Sequence, residues 1–315
     1  MKAKQYDIIG DIHGYADKLH DLLDKLGYKK THGVFGHPTR QVIFLGDFID
    51  RGPQQKQVLD TVMAMVNHHQ ALAVMGNHEL NALAYHTLDP NTPKNEPKRH
   101  LRWHTKKSTK QHQAFIDAYG TDTNNAELSQ VLSFFYSLPL WLELEGLRVI
   151  HACWHAESIA YLAGLLNKNH TLSQALLVAG FQPGSAEHDA IELILKGPET
   201  RLPEGGHHTD KDGTQRSRVR LAWWMPSNTL WSEATRPTNI ISGTLGNTVV
   251  PTGLGLGYPV ESPPVLFGHY WFFGEPAPLA PNLACLDYSV AKGEKLCAYR
   301  WSGESVLVQE HFVYV

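Results

Sequence analysis

Short apolar runs alternate with helix-like segments in the first part of the chain. The runs at 6–9, 42–45 and 71–75 have the length of buried strands, and each is followed by a glycine. The segments between them, 15–27 and 54–69, carry apolar side chains at the spacing of amphipathic helices. Because strands and helices alternate, the pattern predicts an α/β fold in which crossover helices join parallel strands.

The rest of the chain has a less regular pattern. Further helices are predicted near 110–119, 125–136, 156–166, 171–180 and 186–196, and further strands at 141–145, 147–150, 265–267, 283–287, 295–301 and 306–315. The last three strands are expected to form a β-meander. Residues 197–262 contain no clear element. The simplest organisation is a single domain over residues 1–315 with insertions at about 86–140 and 156–262.

Composition excludes several classes of protein. The chain has 315 residues, of which 42% are apolar, and this is enough for a sizeable core. A net charge of -3 gives no electrostatic case for a nucleic-acid or membrane partner. The three cysteines form no CxxC pair, which suits a reducing cytoplasm. Asp7 and Asp11 interrupt the N-terminal region before any apolar core develops, so no signal peptide is expected and the predicted location is cytoplasmic.

Polar side chains follow the predicted strands at the points where the strands end. Six of them are candidate metal ligands: Asp11, His13, Asp47, Asn77, His151 and His269. Because strand ends meet at one edge of an open sheet, these side chains are expected to lie together. Carboxylate, amide and imidazole groups without a thiolate suit Mn²⁺, Fe or Zn²⁺ better than Ca²⁺. Six ligands suit two ions that share one carboxylate, and Asp47, on a central strand, is the natural bridge.

Five sequence blocks carry a family resemblance. Gly10-Asp-Ile-His-Gly14, Gly46-Asp-Phe-Ile-Asp-Arg-Gly52 and Gly76-Asn-His-Glu79 resemble the GDxHG, GDxxDRG and GNHE motifs of calcineurin-like metallophosphoesterases. The segments around His151 and His269 resemble the two later histidine motifs of that superfamily. The similarity covers about residues 6–155 and 263–301 and is closest to the branch of phosphoprotein phosphatases and bacterial symmetrical diadenosine tetraphosphatases.

The resemblance implies a fold and a set of residue roles. The implied fold is a four-layer α/β/β/α sandwich of two mixed sheets, with a binuclear metal site at the carboxyl ends of the strands. Two metal ions, Mn²⁺ and/or Fe with Zn²⁺ as the alternative, would be held by Asp11, His13 and Asp47 and by Asp47, Asn77, His151 and His269. His78 would protonate the leaving oxygen, Asp50 would orient His78, and Arg51 would grip the phosphate. Asn77 and His78 would also contact the substrate.

The implied function is hydrolysis of a phosphomonoester, including a phosphoprotein, by attack of a metal-bridging water. The alternative is hydrolysis of a dinucleoside polyphosphate, and a nucleic-acid end ranks third among the substrates. The expected partner is therefore a phosphoprotein, a small phosphoester or a nucleotide, with nucleic acid the least favoured. A third interpretation is a binding protein that has lost catalysis, but the complete set of ligands and the proton donor argue against it. The basic segment within 86–112 is either a solvated surface or a positive rim for an anionic substrate.

Two features leave the substrate open. Ala152-Cys153-Trp154 stands where the related phosphatases carry Gly-Gly or Ala-Gly, so Trp154 is expected in the pocket wall. Arg216, Arg218 and Arg220 lie in the interval of the second phosphate-binding arginine of the phosphoprotein phosphatases, and no motif chooses among them.

Overall fold

The computed structural model of the chain describes residues 5–203, 207–209, 215–238, 240–241 and 243–315. The first four residues, to which part of the signal-peptide expectation applies, lie outside the described residues. The helices are α1 Ala16–Leu26, α2 Gln55–Asn67, α3 Asn77–Tyr85, α4 Lys106–Tyr119, α5 Ala126–Tyr136, α6 Ala156–Ala163, α7 Gln174–Gly180, α8 Ala186–Lys196, α9 Trp231–Ala234 and α10 Gly243–Gly246. Short 3-10 helices span Val290–Lys292 and Gln309–His311.

The strands are numbered in chain order. They are β1 Gln5–Ile9, β2 Lys29–Thr31, β3 Val34–Gly36, β4 Arg40–Phe44, β5 Ala71–Ala73, β6 Trp141–Leu144, β7 Leu147–Ile150, β8 Glu199–Arg201, β9 His208–Thr209, β10 Gln215–Arg216, β11 Arg218–Leu221, β12 Thr235–Arg236, β13 Val265–Phe267, β14 Leu283–Cys285, β15 Cys297–Trp301 and β16 Phe312–Tyr314. The predicted strand–helix series of the first 75 residues is therefore confirmed.

Two mixed sheets form the centre of the molecule. The first has the order β16-β15-β1-β4-β5, in which β1, β4 and β5 run parallel and β15 pairs antiparallel with β1. The second has the order β14-β13-β7-β6, in which β13 is parallel to both neighbours and β6 is antiparallel to β7.

Side chains that alternate along the strands divide the core into layers. Ile8 of the first sheet and Val149 of the second belong to one buried cluster between the sheets. Their chain neighbours, Ile9 and Ile150, face the other way and pack with the helices. Because successive residues of a strand point to opposite faces, each sheet buries one face on the other sheet and one under helices. This confirms the four-layer α/β/β/α sandwich.

The C-terminal strands differ from the predicted meander. β14 pairs in parallel with β13, whereas β15 pairs antiparallel with β1 and β16 follows beside it. The predicted strand segments exist, but they belong to different sheets, so the meander prediction was wrong. An apolar pattern marks a strand without identifying its partner, and the connections here cross between the layers.

The segment predicted to lack clear elements contains a small sheet. Strands β8, β11 and β12 pair antiparallel, and β9 pairs with β10. The apolar side chains of this segment, among them Val219, Leu221 and Trp231, form a buried cluster of their own. The prediction for residues 197–262 was therefore wrong, because strands of two to four residues are too short for periodicity to reveal. Among the described residues no helix has the length and apolar character needed to cross a bilayer.

Candidate metal centre

The candidate ligands lie on loops that follow the strands. His13 follows β1, Asp47 follows β4, and His269 follows β13. All three have positive φ angles, of 49°, 50° and 75° respectively, as do Asp50 at 67° and Arg51 at 69°. Residues other than glycine rarely adopt a positive φ angle, and this backbone conformation costs free energy that the surrounding contacts must offset. The chain therefore accepts backbone strain at these loops.

Asp47 belongs to two groups of metal-competent side chains. One group contains Asp47 with His13 and His78, and the other contains Asp47 with His151 and His269. Within each group the ligand atoms lie within 4.8 Å of one another, and every member is buried. The sharing of Asp47 matches its expected bridging position. The first group includes His78 in place of Asp11, the carboxylate that the family resemblance implies there.

The tautomers of two histidines turn lone pairs toward Asp47. The Nδ1–H of His13 donates to the carbonyl of Ile49 at 3.0 Å, and that of His151 donates to the carbonyl of Leu45 at 2.7 Å. Their Nε2 atoms therefore carry lone pairs, and they lie 3.7 and 3.4 Å from the carboxylate oxygens of Asp47. Lone pairs that converge in this way repel one another unless a cation lies between them, so the arrangement fits a metal ion.

Two further observations fit the same conclusion. The Nε2 atoms of His13 and His269 are buried and have no hydrogen-bond partner among the described residues. Burial lowers the pKa of His13 to about 3 and holds that of His269 well below its ordinary value. Neutral imidazoles with unused lone pairs are the form of histidine that binds metals. Asn77 Oδ1 lies 3.1 Å from Nε2 of His151 and adds an oxygen donor.

Asp11 connects the loops after β1 and β13. The backbone N–H of His269 donates to its carboxylate oxygens at 3.3 and 3.2 Å. A side chain at Gly268 would place its Cβ 2.0 Å from Oδ1 of Asp11, so only glycine fits there. Burial raises the pKa of Asp11, and the nearby carboxylates of Asp287 and Asp47 raise it further. Such a group ionises when cationic charge, such as a metal ion, lies beside it.

Glu79 braces the loop after β4, a role that the sequence analysis did not assign. Its carboxylate accepts the backbone N–H groups of Asp47 and Phe48, each at 2.8 Å, and that of Gly76 at 2.9 Å. Glu79 is fully buried, so these three hydrogen bonds fix the backbone that carries Asp47. Its position in the GNHE block was the available signal.

Asp50 lies between two histidines. Its Oδ2 atom accepts Nδ1–H of His78 at 2.5 Å, and its Oδ1 atom accepts Nδ1–H of His112 at 2.8 Å. Burial alone would raise the pKa of Asp50, but these two hydrogen bonds outweigh it and hold the pKa below its ordinary value. His112 is fully buried on α4. The interpretation of the basic segment as a solvated surface or rim was therefore wrong for this residue.

Arg51 is exposed at the mouth of a cavity of about 750 Å³. Its guanidinium carbon lies 4.7 Å from the ring centroid of Trp271, and the ring of Trp271 lies 5.8 Å from that of His13. Arg220 also lines the cavity. The cavity therefore opens beside the side chains that converge on Asp47, and aromatic rings form part of its wall.

The other sequence candidates lie away from the cavity walls. Arg216 on β10 and Arg218 on β11 are exposed and are not among the described residues that line the cavity. Trp154 is not among the described residues that line it, and its ring lies 4.8 Å from the guanidinium carbon of Arg148. This cavity therefore gives no support to the expectation that Trp154 forms the pocket wall.

Comparison with known proteins gives the family. The profile of the calcineurin-like phosphoesterases matches residues 5–191. An asymmetrical bis(5'-nucleosyl)-tetraphosphatase PrpE of Halalkalibacterium halodurans is 48% identical over 75 residues, which are 24% of this chain and 30% of that protein. The corresponding protein of Anoxybacillus flavithermus is 50% identical over 74 residues, which are 23% of this chain and 30% of its own length. These alignments thus span about a third of the relatives' length.

A solved structure extends the similarity across the fold. The structure of a cold-active protein tyrosine phosphatase aligns with 96% of this chain and 77% of its own, with a TM-score of 0.50 and 16% sequence identity. At this identity the likeness concerns the fold alone. The family profile covers more than half of the chain and includes the first four of the five sequence blocks. The chain belongs to the calcineurin-like phosphoesterase family.

Proposed function

We propose that this protein is a metal-dependent hydrolase that transfers a phosphoryl group from an ester or anhydride to water. The observation that carries the proposal is the convergence of buried, proton-free donor atoms on Asp47 from two sides. Asp47 lies between His13 on one side and His151 and His269 on the other, and a carboxylate shared in this way suits a pair of metal ions. Membership of the phosphoesterase family supports the same chemistry.

The proposed ligands are those that the sequence implies. Asp11, His13 and Asp47 would hold one ion, and Asp47, Asn77, His151 and His269 would hold the other, with Mn²⁺ or Fe as the favoured metals and Zn²⁺ as the alternative. When bound, such ions supply Lewis acidity that activates water and neutralises phosphate charge. We also propose, from the sequence alone, that residues 1–315 form a single domain and that the protein is cytoplasmic.

His78 is the proposed proton donor to the leaving oxygen. Burial alone would lower the pKa of His78, but the carboxylates of Asp47 and Asp50 outweigh it and raise the pKa above its ordinary value. With Nδ1–H engaged by Asp50, the proton on Nε2 of the imidazolium is the one available for transfer. Nε2 lies 3.9 Å from Oδ2 of Asp47, so the donor stands beside the proposed metal bridge.

Arg51 is the proposed clamp for the phosphoryl group under attack. It is exposed at the cavity mouth, and its guanidinium fork matches two phosphate oxygens. Of the three later arginines, Arg220 is the proposed second contact because it lines the same cavity. Its Nε atom is buried and has no hydrogen-bond partner among the described residues.

Two substrate classes fit this chemistry. A phosphomonoester, including a phosphoprotein, requires one phosphoryl group at the metals and a proton for the leaving alkoxide or phenoxide. A dinucleoside polyphosphate is the second candidate, and the relatives named as bis(5'-nucleosyl)-tetraphosphatases, 48% and 50% identical over the aligned region, favour it.

The test combines a substrate panel with an Asp47→Asn variant. Mn²⁺-loaded wild-type protein is expected to hydrolyse at least one of phenyl phosphate, a phosphoserine peptide and diadenosine tetraphosphate. Asp47→Asn removes the shared charge, so we expect fewer than two metals per chain by elemental analysis and a kcat lower by about 10³-fold or more. Two bound metals with normal turnover in the variant would disprove the proposed bridge, and an inactive wild type would disprove the proposed hydrolase.

A further inference from the structure

The cavity beside the metal centre is lined by an unusual set of cations. Arg51, Arg220, Arg236 and Lys292 line its wall, and the described lining residues include no aspartate or glutamate. A phosphoryl group carries at most two negative charges in an ester, and the proposed metal ions together with Arg51 already match them. Arg220, the proposed second contact, is itself paired with Glu199, its Nη2 atom lying 3.4 Å from Oε1. Arg236 and Lys292 therefore supply positive charge beyond what one phosphoryl group requires.

Lys292 lies against the same aromatic wall of the cavity as Arg51. Its Nζ atom lies 4.6 Å from the ring centroid of Trp271 and 4.7 Å from that of Phe273. Arg51 lies against the same Trp271 ring, which is adjacent to His13. Trp271 thus joins the proposed phosphate clamp to Lys292, and a ligand that extends from the metals along this wall meets Lys292 next.

Arg236, which also lines the cavity, is held in place by an aromatic ring and by backbone carbonyls. Its guanidinium carbon lies 4.9 Å from the ring centroid of Trp224, and its Nη1 donates to the carbonyl groups of Glu233 and Thr235 at 2.9 and 2.8 Å. Backbone carbonyls fix the side chain without neutralising its charge. Burial lowers the pKa of Arg236, and this cost is recovered when an anion binds beside it.

We propose that Arg236 and Lys292 form a subsite for a second phosphoryl group, so that the enzyme prefers small molecules in which the phosphoryl group under attack is linked to another. This inference rests on the proposed hydrolase function and assigns it a substrate class. The reaction is attack of water on the terminal phosphorus, cleavage of the P–O bond of the anhydride, and release of orthophosphate and the shortened phosphate. Cations spaced along a wall whose described lining residues include no carboxylate match the charges spaced along a phosphate chain.

The experiment compares two substrates that differ in the second phosphoryl group. Inorganic tripolyphosphate contains it, and phenyl phosphate does not. We measure kcat/KM for both substrates, and for a phosphoserine peptide, with the metal-loaded wild type and with Lys292→Met, Lys292→Arg and the matched control Lys29→Met. Lys29 is exposed on the β2–β3 hairpin, outside this cavity. Metal content is measured after each assay, because tripolyphosphate chelates metals.

Lys292→Met is expected to lower kcat/KM for tripolyphosphate at least ten-fold more than for phenyl phosphate, mainly through KM. Lys292→Arg, which keeps the charge, should retain the preference, and Lys29→Met should change neither value. An equal loss on both substrates, or no loss, overturns the subsite while leaving the proposed hydrolase intact. An equally large loss on a phosphoserine peptide would assign the cavity to a peptide and also overturn it. A wild type inactive on every substrate would instead overturn the hydrolase function itself.

Discussion

At the scale of single residues, Asp50 shows how neighbouring side chains determine a chemical role. Both oxygens accept imidazole N–H groups, so the carboxylate has one geometry in which both bonds are satisfied. His112 contacts neither the proposed metals nor the substrate cavity, yet it fixes the group that orients His78. It is therefore a positioning residue, and the ring of Phe115 stacks on it at a centroid distance of 4.7 Å.

Replacement of His112 should affect proton donation selectively. His112→Leu leaves Oδ1 of Asp50 buried without its donor, so we expect kcat on ethyl phosphate to fall about 10–100-fold with little change in KM. On p-nitrophenyl phosphate, whose leaving group needs little protonation, the fall should be much smaller. His112→Asn keeps an N–H group near the position of Nδ1 and should restore most of the activity.

The measurement is kcat and KM on both substrates, with metal content checked in each variant. A loss of equal size on the two substrates, or an Asn variant as impaired as the Leu variant, would contradict the positioning role. Loss of metal would show that His112 supports the ligand loops instead.

At the scale of elements, the order of strands and the clustering of their ends could be predicted from the sequence, whereas His112 could not. Asp47 and His151 each follow a predicted strand, and that pattern alone places them at a sheet edge. Thr105 accepts the N–H of Ser108 at 3.1 Å and starts α4 at Lys106, earlier than predicted. His112 shares the buried face of this helix with Phe115 and Tyr119. Its partner Asp50 lies 62 residues earlier in the chain, and helical spacing does not reveal such a contact.

Also at the scale of elements, the close approach of the loops after β4 and β5 explains why each of them contains glycine. Gly46 has φ +88°, and a Cβ there would lie 2.3 Å from the backbone nitrogen of Gly76. Gly33 in the β2–β3 hairpin has nearly the same φ, +87°, but a Cβ there would meet no atom within 4 Å. Substitutions at Gly33 and Gly46 therefore distinguish the free-energy cost of a positive φ angle from the cost of a clash between the loops after β4 and β5.

Gly33→Ala should cost only the strain of a positive φ, about 1–2 kcal/mol of unfolding free energy. Gly46→Ala adds overpacking against Gly76, so we expect a total cost of about 2–5 kcal/mol. Urea unfolding of the metal-free proteins measures both values. Equal losses of unfolding free energy in Gly33→Ala and Gly46→Ala would mean that the loops after β4 and β5 move apart at no cost. The close approach of these loops would then not explain why residue 46 is glycine.

At the scale of the whole molecule, folding buries several of the 19 histidines in neutral form. Burial lowers the pKa of His13 to about 3, and burial together with the nearby His112 lowers that of His86 to about 4. Both values lie below the ordinary pKa of about 6.5. His86 lies among aromatic rings, 5.6 Å from His112 and 6.0 Å from Phe115 by ring centroids, and makes no contact with the proposed ligands that would tie it to the metals.

The lowered pKa values predict that the buried neutral histidines weaken the fold in mild acid. Between about pH 6.5 and pH 4 the unfolded chain binds protons at these histidines and the folded chain does not, so their contribution to the free energy of unfolding falls as the pH falls. At pH 5 each fully buried neutral histidine contributes a loss of up to about 2 kcal/mol. The raised pKa values of His78 and of the buried carboxyl groups of Asp11, Glu79 and Asp287 act in the opposite direction, so the effect of a histidine is read from the difference between a variant and the wild type. Urea unfolding of the metal-free protein at pH 7.5 and pH 5 measures the total. His86→Phe, which preserves the aromatic packing, should reduce this loss, whereas the same change at the exposed His68 should not. An undiminished loss in His86→Phe would show that His86 becomes protonated without unfolding and that its burial does not drive the acid sensitivity.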